Sequence, residues 1–280
     1  MKQILLPTDF SEYAWNAIFT ALKLFSGETC QFYLLNVYEP HIENLVGLNV
    51  SSRAGTVYEA VDKASKKGLQ KTIQALTDQN TSAEHQFETL SRPGALEENI
   101  LEIIAEKDID LVVMGTKGAT GAKRIFLGSN TVKVLKKVAI CPVLAVPREH
   151  DFKKLETVVF PTEFTHFFKK GSLGFLIELA KTWKSNIAVL HVAQQFMLTK
   201  TQERNKKILG NRLAGIGQSF HRETIKSTVA NAITDFTEAV GADMIALVRY
   251  QHTFLEGLTQ EPVVKKVAFS AKVPLLVLPE

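Results

Sequence analysis

The 280-residue chain has only two cysteines, Cys30 and Cys141, and neither belongs to a C-x-x-C pair. That excludes a disulfide scaffold and a thioredoxin-like redox motif. Both thiols are expected to pack as small hydrophobes in a reducing compartment, the cytoplasm. No apolar run approaches the ~20 residues needed to cross a bilayer, and Asp9 and Glu12 interrupt the opening stretch before a secretory apolar core can form. An excess of one charge is lacking too. With 33 basic and 29 acidic residues the net charge is +4, which gives no electrostatic case for nucleic acid as a partner. The local pairs Lys66-Lys67, Lys136-Lys137 and Lys206-Lys207 read as solvated helix faces. His41, His85, His150, His166 and His221 form no H-x-x-x-H or comparable spacing, so no dedicated metal site is expected. The chain also has no G-x-x-x-x-G-K-[ST] phosphate loop and no G-x-S-x-G nucleophile elbow.

What the chain does contain is a repeat of itself. The strand-and-turn segment from Lys2 through Pro7-Thr8-Asp9-Phe10-Ser11 returns as Leu155 through Pro161-Thr162-Glu163-Phe164-Thr165. The buried-strand pattern Phe32-Tyr33-Leu34-Leu35-Asn36-Val37 returns as Ile187-Ala188-Val189-Leu190-His191-Val192, and Cys141-Pro142-Val143-Leu144-Ala145-Val146 as Val273-Pro274-Leu275-Leu276-Val277-Leu278. Two copies in one order make a tandem duplication, with a polar junction near Arg148 to Lys154 and expected domains at 1–148 and 153–280. Within the first copy the periodicity predicts helices over 11–26, 55–79 and 94–106, a third strand over 83–90 and a fifth over Val143–Val146. Alternating strands and helices with short links imply a mainly parallel sheet of five strands per copy, flanked by helices. Ligands of such sheets gather at the carboxyl ends of the strands, which here join Pro7, Thr8 and Asp9 with Val37 and with the residues after Met114.

The most informative stretch follows the fourth strand: Met114-Gly115-Thr116-Lys117-Gly118, then Gly128-Ser129-Asn130-Thr131 at the start of a helix with apolar residues at helical intervals. Glycines there permit close backbone approach to a ligand, and a free helix start favours an anion. Ser129 or Asn130 is available as its N-cap. For Asp9 two readings stand side by side: a ligand contact, or a turn residue or N-cap of the first helix, a role Ser11 can also fill.

These residues resemble the universal stress protein family in its tandem two-domain form. The sign is the nucleotide motif G-x2-G-x9-G-[S/T], met by Gly115, Gly118, Gly128 and Ser129, with support from Pro7-Thr8-Asp9-Phe10-Ser11 and Cys141-Pro142-Val143-Leu144-Ala145-Val146. The resemblance implies flavodoxin-like (Rossmann-like) α/β domains and, in the family's ATP-binding branch, a bound ATP, AMP or ADP, with Mg²⁺ held through the phosphates. By position, Asp9 meets the adenosine end, the main chain of Val37 pairs with the adenine edge, and Gly115, Gly118, Gly128, Ser129 and Asn130 surround ribose and phosphates. Pro7, Thr8, Met114, Thr116 and Thr131 complete the set. The implied role is a stress-response or signalling module acting through a protein partner. An interaction module without nucleotide and a slow ATPase stay open as alternatives.

The second copy lacks the motif. Aligning its strands places Arg249 opposite Gly115, His252 opposite Gly118, Gln260 opposite Gly128 and Glu261 opposite Ser129, so one nucleotide site per chain is expected. His191 reads as a strand residue with a satisfied ring. The family's way of dimerising implies that Val143–Val146 and Leu275–Leu278 pair within the chain as a pseudo-dimer, and leaves a further homodimer open.

Overall fold

A computed structural model describes residues 1–39, 50–78, 85–116, 128–169, 171–193, 197–225, 227–249 and 263–280. The first half runs β1 (Lys2–Pro7), α1 (Glu12–Leu24), β2 (Cys30–Tyr38), α2 (Val50–Asp78), β3 (Gln86–Pro93), α3 (Leu96–Lys107), β4 (Leu111–Gly115), α4 (Ser129–Lys137) and β5 (Val143–Val146). The second runs β6 (Thr157–Pro161), α5 (Gly174–Trp183), β7 (Asn186–Ala193), α6 (Lys200–Arg212), β8 (Gly217–Thr224), α7 (Val229–Ala239), β9 (Met244–Val248), α8 (Val263–Ser270) and β10 (Leu275–Leu278).

All ten strands form one sheet in the order β3-β2-β1-β4-β5-β10-β9-β6-β7-β8. Every pairing within a half is parallel; β5 and β10 alone meet antiparallel, with Leu144 opposite Leu276. The expected pairing of the last strands is therefore present. It removes two edges that would otherwise expose unpaired backbone next to apolar side chains. The helices cover both faces of the sheet. One apolar layer takes Ile4, Leu6, Leu144 and Leu276 with Ile18, Leu69, Leu176 and Leu209 of α1, α2, α5 and α6. The other takes Leu5, Val143 and Val277 with Ile103, Val134, Ile233 and Val267 of α3, α4, α7 and α8. Each layer runs through both halves, so the strand alternation of period two feeds two shared cores.

The duplication extends to individual hydrogen bonds. The backbone N–H of Gln3 donates to Asp110 Oδ2 at 2.8 Å and that of Asp110 to Gln3 O at 2.8 Å. Thr157 and Asp243 repeat the exchange at 2.9 Å in both directions. At the junction the Asn16 amide donates to the carbonyls of Pro147, Arg148 and His150 at 2.9, 3.1 and 2.9 Å. Trp183 Nε1 reaches back to Leu24 O at 3.0 Å, with Phe152 edge-on to its ring at 5.3 Å. Both cysteines are buried, and burial pushes the Cys30 thiol up to about 11 and the Cys141 thiol up to about 12, which keeps them protonated and inert.

Two boundaries differ from expectation. The third strand is Gln86–Pro93, shifted toward the C-terminus from the predicted 83–90. It is the sheet's edge strand and alternates only between exposed and half-buried residues, so hydrophobicity does not mark its register; pairing with β2 out to Tyr38 opposite Pro93 does. The second helix begins at Val50 rather than at residue 55.

If the β5–β10 seam is part of the core, Leu276→Ala, at a site 1% exposed, should cost about 2–5 kcal/mol in urea unfolding. A loss well under 1 kcal/mol would mean the seam is not packed.

Candidate functional site

The strand order reverses between β1 and β4, and the crevice beyond their carboxyl ends is built mainly from backbone. Thr8 N–H donates to Leu35 O at 2.8 Å, and Asn36 Nδ2 donates to Thr8 O at 2.7 Å, which fixes the chain after β1 against the end of β2. Phe10 then adopts a positive φ of 63°, held by its N–H bond to Thr8 Oγ1 at 3.0 Å. That conformation costs a non-glycine residue roughly 1–3 kcal/mol, which the surrounding bonds offset. Ser11, not Asp9, is the N-cap of α1, accepting from Ala14 N–H at 3.3 Å. Asp9 is the turn residue: exposed, with Oδ1 accepting from the N–H and hydroxyl of Ser11 at 3.1 and 2.5 Å.

At the end of β4, Gly115 is buried, and a Cβ there would lie 2.8 Å from Tyr13 O. This glycine therefore answers a close approach of α1 to β4, a reason inside the protein that the phosphate argument did not contain. The next step is a clamp. Gly128 N–H donates to Thr116 O at 2.7 Å, and Thr131 Oγ1 to Gly115 O at 2.9 Å. The loop thus leaves at Thr116 and returns at Gly128 onto the same strand end. Thr131, 2% exposed, and Thr116, 7% exposed, tie this joint together. Gly118, like all of residues 117–127, lies outside the described residues.

The N-cap of α4 is Gly128, not Ser129 or Asn130 as expected. It offers no side-chain cap, and the first turn holds no acidic residue. Ser129 and Asn130 are exposed at this start. Among the described residues no side chain caps this first turn, so its leading backbone N–H groups lack an intrahelical partner and have the positive end of the helix dipole behind them.

Of the expected site residues, Thr8 and Asp9 are bonded into the turn after β1, and Gly115, Thr116, Gly128 and Thr131 into the joint after the neighbouring β4. Pro7 and Met114 are buried just behind it. Val37, half-buried, is the penultimate residue of β2, one after Asn36. Reasoning from sequence missed Asn36 and a neighbouring network in which Asp62 of α2 accepts from Tyr38 Oη and Ser91 Oγ at 3.1 and 3.0 Å. The Lys66 ammonium at 2.7 Å leads the bonds that hold the Asp62 carboxyl below its usual range. A signal for Asn36 existed: both copies of the second strand carry one polar residue at that place, Asn36 and His191.

The second half repeats the floor and not the loop. Thr162 N–H donates to Leu190 O at 2.8 Å, Phe164 has φ 58° with its N–H on Thr162 Oγ1 at 3.0 Å, and the buried His191 ring stands in for Asn36 with Nδ1 3.1 Å from Thr162 O. The ladder corrects the alignment by one residue. Ile4 pairs with Leu111 where Val158 pairs with Met244, so Val248 matches Gly115 and Arg249 matches Thr116. The two equivalent amides agree, Thr116 N–H on Val146 O and Arg249 N–H on Leu278 O, each at 2.9 Å. Nor does the Arg249 side chain fill a phosphate position in its own half. It crosses the seam and donates to Val138 O at 3.2 Å and to Lys136 O, at the C-terminal end of α4.

A doubly wound α/β sheet with a loop-to-helix joint at its switch point defines a flavodoxin-like, Rossmann-like protein. The sequence model of the universal stress protein family matches residues 1–147, and the chain belongs to that family. A universal stress protein of Methanocaldococcus jannaschii is 29% identical over 147 residues, covering 52% of this chain and 82% of its own. One from Bacillus subtilis is 28% identical over 152 residues, 52% of this chain and 98% of its own. A solved universal stress protein from Archaeoglobus fulgidus matches 99% of this chain and 98% of its own with a TM-score of 0.71 at 19% identity, which shows the same fold across both halves.

Two outcomes follow. Arg249→Ala should destabilise the chain by about 1.5–3 kcal/mol in urea, since hydrogen bonds from a charged donor are lost, and Arg249→Lys should recover less than the full amount because it lacks the planar fork; an unchanged midpoint for Arg249→Ala would contradict the contact. His191 and His150 both have their pKa lowered, chiefly by burial. The unfolded chain therefore takes up protons near pH ~6.5 that the folded chain refuses, so stability is full above that pH and falls as pH drops. His191→Asn, which copies Asn36, should keep stability at pH 8 and lessen the acid-side loss; an acid limb of unchanged steepness would count against it.

Proposed function

We propose that this chain is a nucleotide-binding universal stress protein with one site, in the first of two domains at 1–148 and 153–280, that takes ATP or a related adenine nucleotide. The observation that carries this reading is the start of α4: an uncapped helix N-terminus, clamped to the end of β4 through Thr116 and Gly115, in the half that keeps every position of the family's nucleotide motif. Backbone amides there suit phosphate oxygens, and the Ser129 hydroxyl adds a donor. Val37 offers main-chain groups at the end of β2 to an adenine edge, while Asp9 and the main chain of Pro7 and Thr8 face the adenosine end. Met114 backs the joint, and Gly118 and Asn130 complete the phosphate surround. Thr116 and Thr131 act as the clamp. Any Mg²⁺ rides on the phosphates, since among the described residues no group of three or more His, Cys, Asp or Glu side chains is arranged for a metal.

In the second half Val248 stands in the place of Gly115, and the helix after β6 starts only at Gly174; the loop after β9 lies outside the described residues. That half serves as a structural and regulatory domain. Nucleotide occupancy of the first domain is the signal, presented to a protein partner during stress in the cytoplasm.

Titration calorimetry with ATP and Mg²⁺ tests this. One nucleotide should bind per chain, and Ser129→Ala, at an exposed position, should weaken binding about 3- to 10-fold, the worth of one hydrogen bond. Absence of binding heat, or two equivalent sites per chain, would refute the single-site reading.

A further inference from the structure

The second half has a recess of its own, formed where α6 leans over the ends of β7 and β8. Its room is about 30 Å³, close to that of one water molecule. Phe164, Leu198 and Phe220 supply apolar wall, and His191, Lys206 and Arg222 supply polar groups. His221 also borders it, and no carboxylate does. Neither Lys206 nor Arg222 makes an ion pair among the described residues; Lys206 sits 5.1 Å over the Phe220 ring. Two permanent cations thus line a small opening whose described lining holds no carboxylate.

The floor has a definite polarity. His191 is 4% exposed and its Nδ1 lies 3.1 Å from Thr162 O, so Nδ1 carries the proton and donates. In the neutral ring Nε2 is then a lone-pair acceptor. It has no protein partner among the described residues, and the ring lines the recess. Burial holds this imidazole in its neutral form, and the positive potential of Arg222 and Lys206 acts in the same direction.

We propose that this recess is a binding site for a protonated tetrahedral oxyanion, namely phosphate, free or as a phosphomonoester. One oxygen enters the recess, Lys206 and Arg222 donate to the charged oxygens from α6 and β8, and the remaining P–O–H donates to His191 Nε2. The chemistry separates phosphate from sulfate, which has similar size and charge but no proton to donate near neutral pH. It also gives the second half a ligand of its own, at the ends of β7 and β8. This inference stands independently of nucleotide binding in the first half.

The test is a titration of the full chain with inorganic phosphate at fixed ionic strength, followed by calorimetry and by the ring resonances of His191, assigned through His191→Asn. Phosphate should bind and shift those resonances. The variant Lys206→Gln/Arg222→Gln should bind at least about tenfold more weakly while its nucleotide affinity stays unchanged, and sulfate should also bind at least about tenfold more weakly than phosphate. Glycerol phosphate, titrated separately, tells the two sources apart: binding of both extends the site to phosphomonoesters, and binding of inorganic phosphate alone confines it to the free ion. No resonance shift at His191 with either probe, an unchanged affinity in the double variant, or sulfate binding as tightly as phosphate would overturn the proposal. The resonance shift is read on the native chain, so it decides the matter even if the variant folds poorly.

Discussion

The close approach of α1 to the end of β4 is the constraint from which the asymmetry of this molecule follows. A Cβ at residue 115 would meet Tyr13 O at 2.8 Å, a distance that backbone cannot relieve by rotating a side chain. Only glycine lets the helix after β1 start within a few residues of its strand and press against β4. With that space closed, Thr116 and Gly128 can meet and return the loop onto the strand end, leaving the first turn of α4 facing outward. The second half has Val248 at this place, and its helix begins thirteen residues after the last residue of β6 rather than close behind it, with Phe164 and Phe168 buried in the intervening stretch.

The seam between β5 and β10 keeps these two outcomes in mechanical contact. Because the sheet is continuous, α4 has one end at the candidate phosphate position and the other held by Arg249 from the opposite half. A cation at a helix C-terminus complements its dipole, and here that cation comes from the loop that replaces the lost motif. At the position of Thr116 the second half therefore carries a residue that braces the other half's helix. That arrangement gives the second half a direct physical hold on α4.

Much of this was legible in the sequence, for identifiable reasons. The tandem repeat, the buried β2 and β7, and β5 and β10 carry strong apolar patterns that survive divergence, whereas the pairing of β5 with β10 was implied by the family resemblance and is present in the sheet. The edge strand β3 was displaced because its residues lie between exposed and half-buried, so periodicity could not set its register. The one-residue misplacement of Arg249 arose because β9 is apolar on both faces and tolerates a slip; hydrogen bonds of Asp110 and Asp243 to their neighbouring strands fix it. The cap of α4 went to Gly128 rather than Ser129 because the loop's return bond to Thr116 O uses the Gly128 amide. Asn36 stayed hidden within an apolar strand, although its counterpart His191 marked the same place.

The account stands on a single nucleotide joint in the first half, and amide hydrogen exchange with and without ATP and Mg²⁺ tests it most directly. Protection should rise at the amides of Gly115, Thr116 and residues 128–131 and remain unchanged at Val248, Arg249 and the start of α8. Equal protection in both halves, or none at the start of α4, would contradict it.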